Sequence, residues 1–97
     1  MSDLANIVLL RAQAGKSADL GAALRELIAL TRREPGCLIS ELNQSVDDLN
    51  LWMVYERWRG QGAFDSHMQQ PYVAKFLEGL GDLVSQPAEV RPFNYRG

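Results

Sequence analysis

The sequence predicts an α+β fold in which an antiparallel sheet carries helices on one face. Four short runs rich in β-branched and aromatic residues are spaced along the chain and predict strands. Segments with apolar residues at helical spacing separate the first run from the second and the third from the fourth. Because 97 residues suffice for one domain, we expect residues 1–97 to form a single unit.

The first predicted strand spans 5–13, because it contains an apolar run that is too short for a helix. The first predicted helix spans 17–33, with Ser17 as its N-cap and Asp19 in its first turn, where the helix dipole favours a negative charge. Its buried stripe has helical spacing and consists of Leu20, Leu24, Leu27, Ile28 and Thr31. Pro35-Gly36 ends this helix.

The second and third predicted strands, 37–45 and 51–58, form a hairpin because only a short polar turn separates them. Alternation places Leu38 and Leu42 on one face of the second strand and Ile39 on the other. Both faces of the third strand carry large side chains. The even face has Trp52, Val54, Glu56 and Trp58, and the odd face has Leu51, Met53, Tyr55 and Arg57.

The C-terminal part is predicted to hold a short helix over 63–69, a second helix that begins at Pro71, and a strand over 89–95. Proline is tolerated in the first turn of a helix, where its missing N–H has no partner to lose. The apolar stripe of the second helix consists of Val73, Phe76, Leu77, Leu80 and Val84. Pro87 ends that helix, and Pro92 places the last strand at a sheet edge or a bulge.

The order strand, helix, strand, strand, helix, strand is that of a ferredoxin-like fold. In this arrangement the helices cover one face of the sheet, and here the other face is also apolar. An exposed apolar surface of several hundred Å² is rare in a monomer. We therefore expect a homodimer through the open sheet face, with an apolar pocket between each sheet and its own helices.

Composition excludes several classes of function. The net charge of -2 gives no electrostatic reason to bind nucleic acid or an anionic membrane. One histidine and one cysteine cannot form a common zinc site, and no glycine-rich phosphate loop occurs. We expect no signal peptide, because the first four residues do not start a basic segment followed by an apolar core. The single cysteine, Cys37, is expected to be an inert thiol and fits a cytoplasmic protein.

Motifs in three parts of the chain resemble those of a known family. They are Glu34-Pro35-Gly36-Cys37 before the second strand, Tyr55-Glu56-Arg57-Trp58 at the end of the third, and, in the second helical region, Ala63-Phe64-Asp65-Ser66-His67-Met68, Pro71-Tyr72-Val73 and Phe76. Their order resembles the antibiotic biosynthesis monooxygenase (ABM) domain family, which includes cofactor-free quinol monooxygenases. The resemblance covers nearly the whole chain.

The resemblance implies a dimeric α+β barrel and an enzyme that oxidises a small aromatic phenol or hydroquinone with O2 and no cofactor. The substrate is then its own reductant, so the protein binds it, deprotonates it and holds the anion. An isomerase and a non-catalytic metabolite-binding protein on the same scaffold are the alternatives. In haem-degrading relatives the iron-ligating histidine lies near Phe76 and Leu77, which cannot ligate iron, so we expect no haem.

His67 and Asn6 are the candidate catalytic residues. His67 is the only histidine in the chain, and histidine is the commonest general base. Its alternative role is a helix residue bonded to a backbone carbonyl. Asn6 lies between apolar residues of the first strand, where an inward amide needs a partner such as a substrate oxygen. The resemblance implies an active-site asparagine at this position, and the alternative is a strand-end residue bonded to water.

Trp58, Glu56, Tyr72 and Phe76 are the candidate substrate-binding residues. Trp58 could stack on a flat substrate, or it could pack in the core or at an interface. Glu56 shares the face of Trp58 and could act as an acid or base, although we favour a salt bridge to an arginine, within the chain or across the dimer. Tyr72 could bond the substrate and Phe76 could form a wall, although helical aromatics more often belong to the core.

Overall fold

The computed structural model describes residues 2–97; Met1, the start of the N-terminal segment considered above, lies outside the described residues. The elements are β1 (Leu4–Arg11), α1 (Ser17–Thr31), β2 (Cys37–Gln44), β3 (Leu51–Trp58), α2 (Gln61–Met68), α3 (Pro71–Leu80) and β4 (Glu89–Asn94). This order confirms the predicted ferredoxin-like α+β fold.

Helix α3 is shorter than its apolar stripe predicts. It ends at Leu80, and the chain then turns so that the Leu83 and Val84 amides donate to the Leu80 carbonyl. Val84 instead forms an isolated antiparallel bridge with Ala12 and joins the core from there. Of the helices in residues 2–97, none is both long and apolar enough to cross a membrane.

The four strands form one antiparallel sheet in the order β2-β3-β1-β4. The register between the two central strands pairs Asn6 with Glu56 and Leu10 with Trp52. Pro92 lies on the edge strand β4, opposite Asn6. Its missing N–H therefore removes no hydrogen bond between the central strands. The predicted edge position of Pro92 is therefore confirmed.

The helices pack on the face of the sheet that carries the even-numbered side chains of β1 and β3. Burial in β3 alternates residue by residue, and each even position is buried. The core cluster consists of Leu10, Ala12, Leu20, Leu24, Ile28, Trp52, Val54, Leu80 and Val84. Trp52 lies so close to α1 that a Cβ on Gly21 would be 2.6 Å from its ring. Glycine at this position therefore lets the helix pack directly on the indole.

Two local predictions are wrong. Lys16, not Ser17, is the N-cap of α1, because the Ser17 hydroxyl donates to the Leu49 carbonyl at 2.5 Å and accepts from the Trp52 indole N–H at 3.0 Å. The alternation predicted for β2 fails at Leu38, because the register between β2 and β3 shifts between Cys37 and Ile39. This bulge places Cys37 opposite Trp58.

The odd-numbered side chains lie on the face of the sheet that no helix covers. The shortest axis of the molecule is 20 Å, about the thickness of one sheet and one helix layer. Ile7, Leu9, Met53 and Tyr55 are only partly buried on this face, and Phe93 is 51% exposed. The structure thus leaves an apolar sheet face open, as the sequence predicts.

Candidate functional site

Three polar side chains from three elements meet at one point. Glu34 lies between α1 and β2, His67 in the last turn of α2, and Tyr72 in the first turn of α3. Nδ1 of His67 is 2.6 Å from Oε2 of Glu34, and the Tyr72 hydroxyl donates a short hydrogen bond to the same oxygen. We call Glu34, His67 and Tyr72 the carboxylate cluster.

The local sequence explains how these residues meet. The amide of Glu34 donates to the Thr31 carbonyl at 3.0 Å and its carbonyl accepts from Cys37 at 3.0 Å, so the chain turns tightly between α1 and β2. A Cβ on Gly36 would be 2.5 Å from Cβ of Ala63 in α2. Glycine therefore lets this turn pack against α2, which carries His67.

The carboxylate of Glu34 is largely buried without a permanent cation. Its side chain is 12% exposed and that of His67 is 7% exposed. Within residues 2–97, His67 is the only ion-pair partner of Glu34. A carboxylate that is shielded from water and lacks an arginine or lysine depends on its hydrogen-bond donors for stabilisation. The contacts with Tyr72 and His67 therefore hold the Glu34 carboxylate in place.

Aromatic rings enclose His67 on the side of the sheet. The ring centroids of His67 and Trp58 are 4.6 Å apart, and those of His67 and Phe64 are 6.0 Å apart. Phe64 meets Trp58 edge to face at 6.1 Å. Trp58 is completely buried, so its indole packs in the interior at the end of β3. These contacts fix the imidazole ring next to Glu34.

A row of buried polar side chains crosses the sheet beside Trp58. Asn6, Glu56 and Ser40 are register partners on three adjacent strands, and each is at least 94% buried. The Asn6 amide donates to Oε1 of Glu56 at 3.2 Å. In the described part of the chain, Oδ1 of Asn6, Oγ of Ser40 and Nε1 of Trp58 have no hydrogen-bond partner. Native proteins leave few such atoms unpaired, so this row could bond a further polar group.

The salt bridge favoured for Glu56 is wrong within the chain. Its carboxylate contacts the Asn6 amide rather than an arginine. Glu56 is 6% exposed and lies on the face that the helices cover, so a partner on the open sheet face could not reach it either. Asn6 is accordingly a buried residue and not a strand-end residue bonded to water.

An apolar groove opens between α1 and α3. It has a volume of about 300 Å³, at the lower end of the range for small-molecule sites. Its lining includes two predicted binding residues, Tyr72 and Phe76, and the two charged residues Glu26 and Lys75. The remaining lining residues are Ala23, Leu27, Leu30, Gly79 and Leu83. Tyr72 therefore belongs both to the groove and to the carboxylate cluster.

The structure divides the six predicted site residues into two groups. Tyr72 and Phe76 line the groove between the helices. The other four, Asn6, Glu56, Trp58 and His67, are buried in the packed layer between the sheet and the helices. The predicted pocket between sheet and helices is therefore filled at this end by protein side chains, because the Trp58 indole occupies the interior there.

Two groups near the site have altered acidity. Burial and the hydrogen bond to Glu34 raise the pKa of Tyr72 to about 12, so its hydroxyl stays protonated at neutral pH. Burial, with the nearby carboxylates of Glu56 and Glu34, also raises the pKa of Cys37. This protonated thiol agrees with the inert role expected for Cys37.

Sequence reasoning missed Glu34, Thr31 and Ser40 as parts of the site. Glu34 appears there only as part of a motif, because the contact with His67 joins residues 33 positions apart. Thr31 appears only as a member of the helical stripe, although its hydroxyl lies 3.4 Å from that of Tyr72. Ser40 could have been found from the hairpin register, which pairs it with Glu56.

Across residues 2–97, no group of three or more His, Cys, Asp or Glu side chains is placed to hold a metal ion.

Comparisons of this chain with known proteins agree on one protein family. The family model for antibiotic biosynthesis monooxygenase matches residues 4–79. Rv0793 of Mycobacterium tuberculosis, a provisionally named monooxygenase, is 34% identical over 73% of this chain and 69% of its own length. The uncharacterized protein sll1783 of Synechocystis is 33% identical over 78% of this chain, but the match spans only 52% of that protein.

Solved structures share the whole fold. PA3566 from Pseudomonas aeruginosa has a TM-score of 0.93 at 27% identity and covers 100% of this chain and 97% of its own. The Rv0793 structure also has a TM-score of 0.93 at 27% identity, with coverage of 99% and 97%. A protein from Nitrosomonas europaea assigned to the same family has a TM-score of 0.93 at 19% identity, with coverage of 97% and 90%, and so shares the fold.

Proposed function

This chain belongs to the antibiotic biosynthesis monooxygenase family, and from this premise we propose that it oxidises a small aromatic phenol or hydroquinone with O2, without a metal or organic cofactor. The family and the relative Rv0793 support a monooxygenase-like role. The observation that carries the finer proposal is the apolar groove lined by Tyr72, whose hydroxyl is bonded to the buried Glu34 carboxylate.

The proposed reaction needs no electron source besides the substrate. A phenol with a free para position reacts with O2 to give a quinone and water, and a hydroquinone with a free ring carbon gives a hydroxyquinone and water. In both reactions one oxygen atom enters the ring and the other becomes water. The phenolate form is the electron donor to O2, so removal of the phenolic proton starts the reaction. The protein therefore has to bind the ring, accept its proton and stabilise the anion.

The groove and the buried residues have separate roles in this proposal. The ring lies in the groove against Phe76, with its hydroxyl near Tyr72. The carboxylate cluster, with His67 as a member, accepts the proton. Asn6, Glu56 and Trp58 lie deeper, where the unpaired indole N–H of Trp58 can donate a hydrogen bond to an oxygen atom that reaches the interior. Trp58 also holds the imidazole of His67 in place.

We also propose that the protein is a homodimer through its open sheet face. Half-buried Ile7, Leu9, Met53 and Tyr55 lie there without a helix above them. A second copy would cover these side chains with identical ones, as in an isologous interface. The single cysteine suits a reducing compartment, and we place the protein in the cytoplasm.

Oxygen uptake tests the proposed reaction. Chelator-treated protein is given a panel of phenols and hydroquinones in an oxygen electrode, and the products are identified by mass spectrometry with ¹⁸O2. We expect turnover with at least one compound and one labelled oxygen atom in its product. His67→Ala should lower kcat by about 10²-fold, because it disrupts the cluster that accepts the proton, and acid–base catalysis usually contributes about this much. Glu78→Gln, a change of an exposed side chain on α3, should behave as the wild type.

Three results would refute the assignment. The first is the absence of oxygen uptake above buffer with every compound. The second is a converted substrate without oxygen uptake, which would indicate an isomerase on this scaffold. The third is unchanged turnover in both His67→Ala and Trp58→Ala, provided that circular dichroism shows both variants to be folded.

A further inference from the structure

We infer that Glu34 is the final proton acceptor of the site, and that a phenolic ligand in the groove reaches it through the hydroxyl of Tyr72. This inference rests on the proposed binding of a phenol in the groove. It assigns the proton to a carboxylate that the sequence does not single out, and it gives His67 the role of holding that carboxylate in position.

The hydrogen bonds of Tyr72 favour Glu34 as the acceptor. The Tyr72 hydroxyl makes a short hydrogen bond to Oε2 of Glu34, but it is 3.4 Å from Nδ1 of His67. A contact of 3.4 Å is at the limit of a hydrogen bond, so the tyrosine proton is directed at the carboxylate. Thr31 is a weaker acceptor for this proton than Glu34, because its hydroxyl oxygen is neutral and 3.4 Å away.

Tyr72 connects the buried cluster with the groove. Its side chain lines the groove, whereas Glu34 and His67 do not. A tyrosine hydroxyl has two acceptor lone pairs besides its proton, so Tyr72 can accept a ligand O–H while it donates to Glu34. A ligand in the groove therefore has a hydrogen-bonded route to a carboxylate that it does not touch.

The proton transfer balances without any co-reactant. The ligand O–H bond breaks and its proton moves to the oxygen of Tyr72. The original Tyr72 proton moves to Oε2 of Glu34, so tyrosine is neutral before and after. The products are a bound phenolate and a neutral Glu34 carboxyl group, and no electron is transferred. The negative charge has moved from the cluster to the groove.

The groove and the cluster suit this movement of charge. Lys75 lines the groove, and no ion-pair partner for it occurs within residues 2–97, so its ammonium group can stabilise a phenolate there. Glu26 lines the same groove and favours a ligand with no other negative charge. Within residues 2–97, Glu34 pairs with no lysine or arginine, and Oε2 of Glu34 already contacts the Tyr72 hydroxyl whose proton it would accept.

The colour of a bound nitrophenol tests this inference without oxygen chemistry. 4-Nitrophenol absorbs visible light as the phenolate and much less as the neutral phenol, and titration with protein gives its affinity and ionisation together. We expect wild-type protein to bind it mainly as the phenolate at a pH where the free compound is mostly neutral. Glu34→Gln and Tyr72→Phe should bind it within about threefold of the wild-type Kd but as the neutral phenol.

The control variants separate this route from general effects on the groove. Glu78→Gln should leave both affinity and colour unchanged, and Lys75→Gln should weaken binding by about tenfold, as expected for the loss of one favourable charge contact. With an oxidisable phenol, Glu34→Gln should lower kcat while KM changes little. A wild-type complex that is colourless, absent binding, or a Glu34→Gln complex that keeps the phenolate colour would overturn the inference. A coloured wild-type complex without oxygen uptake would refute the proposed function and leave the proton route intact.

Discussion

At the scale of single residues, the site depends on the Glu34 carboxylate and on the two side chains that contact it. Glu34 contacts His67 and Tyr72 through one oxygen, and the burial that makes this contact strong also raises the pKa of Tyr72 to about 12. Tyr72 therefore donates its proton at neutral pH and does not carry a charge of its own. That property suits a residue that passes a proton on, because its resting state is restored after the transfer.

The raised pKa of Tyr72 predicts a loss of stability at alkaline pH. Its folded-state pKa of about 12 exceeds the ordinary value of 10.0, so the folded state holds the tyrosine proton more tightly than the unfolded state. The resulting contribution to the free energy of unfolding is complete below pH 10 and disappears as the pH rises to 12. Urea denaturation of wild type and Tyr72→Phe should show a constant stability difference from pH 7 to 9.

Above pH 10 the wild type should lose stability relative to Tyr72→Phe, so the difference in the free energy of unfolding between the two proteins should change in favour of the variant. The comparison with Tyr72→Phe removes the contributions of other groups that titrate in alkali, because both proteins share them. A difference that stays constant up to pH 12 would contradict the raised pKa of this residue.

At the scale of elements, the site is built where helices meet a turn. The turn between α1 and β2 brings Glu34 to α2. Helix α3 begins at Pro71, soon after α2 ends, so Tyr72 is the second residue of α3. The contact between Gly36 and Ala63 sets how closely the turn approaches α2. The distance from Glu34 to His67 therefore depends on two small residues that take no part in chemistry.

Gly36→Ala should disrupt the site by pushing α2 away from the turn. The new methyl group would be 2.5 Å from Cβ of Ala63, so one element has to move. We expect a loss of about 1–3 kcal/mol in the free energy of unfolding, as is usual for overpacking. The double variant Gly36→Ala/Ala63→Gly should recover much of this loss, whereas Ala63→Gly alone should be mildly destabilised.

A double-mutant cycle in urea denaturation measures this recovery. Gly62→Ala, where an added methyl group meets nothing within 4 Å, is the matched control on α2 and should not be destabilised. If the effects of Gly36→Ala and Ala63→Gly are simply additive, the two residues do not set the approach of the turn to α2.

At the scale of the whole molecule, the sheet separates two surfaces with different roles. One face carries the core and the buried polar row, and the other carries partly buried apolar side chains with no cover. The open face is not uniformly apolar, because the Arg57 guanidinium lies 4.1 Å from the centroid of the Tyr95 ring. In the proposed dimer, the charge of Arg57 would restrict how a second copy is oriented on this face, and the apolar side chains around it would favour burial.

A charge on the open face should dissociate the proposed homodimer. Leu9→Glu places a carboxylate among side chains that a second copy would bury, and an unpaired buried charge is strongly unfavourable. Sedimentation velocity at low micromolar concentration should show a dimer for the wild type and a monomer for Leu9→Glu. Leu77→Glu makes the same change on α3, where the native side chain is 49% exposed, and should remain a dimer. A monomeric wild type would refute this association.

The sequence by itself determined the order and type of the elements and the family. Strand and helix periods are local, since each arises from residues within one turn or one pleat, and they were sufficient for the ferredoxin-like fold. They also placed Pro92 at a sheet edge or a bulge, and Glu56 and Trp58 on one face of the third strand, because alternation along a strand is a property of the backbone.

Only the tertiary structure decided which side chains meet. The contact of Glu34 with His67 joins residues that no local period relates, and the bulge at Leu38 brings Cys37 opposite Trp58. Whether Ser17 caps α1 was decided by Leu49 and Trp52, which compete for its hydroxyl from a distant part of the chain. Such contacts depend on the packing of several elements together, so a pattern within one element cannot specify them.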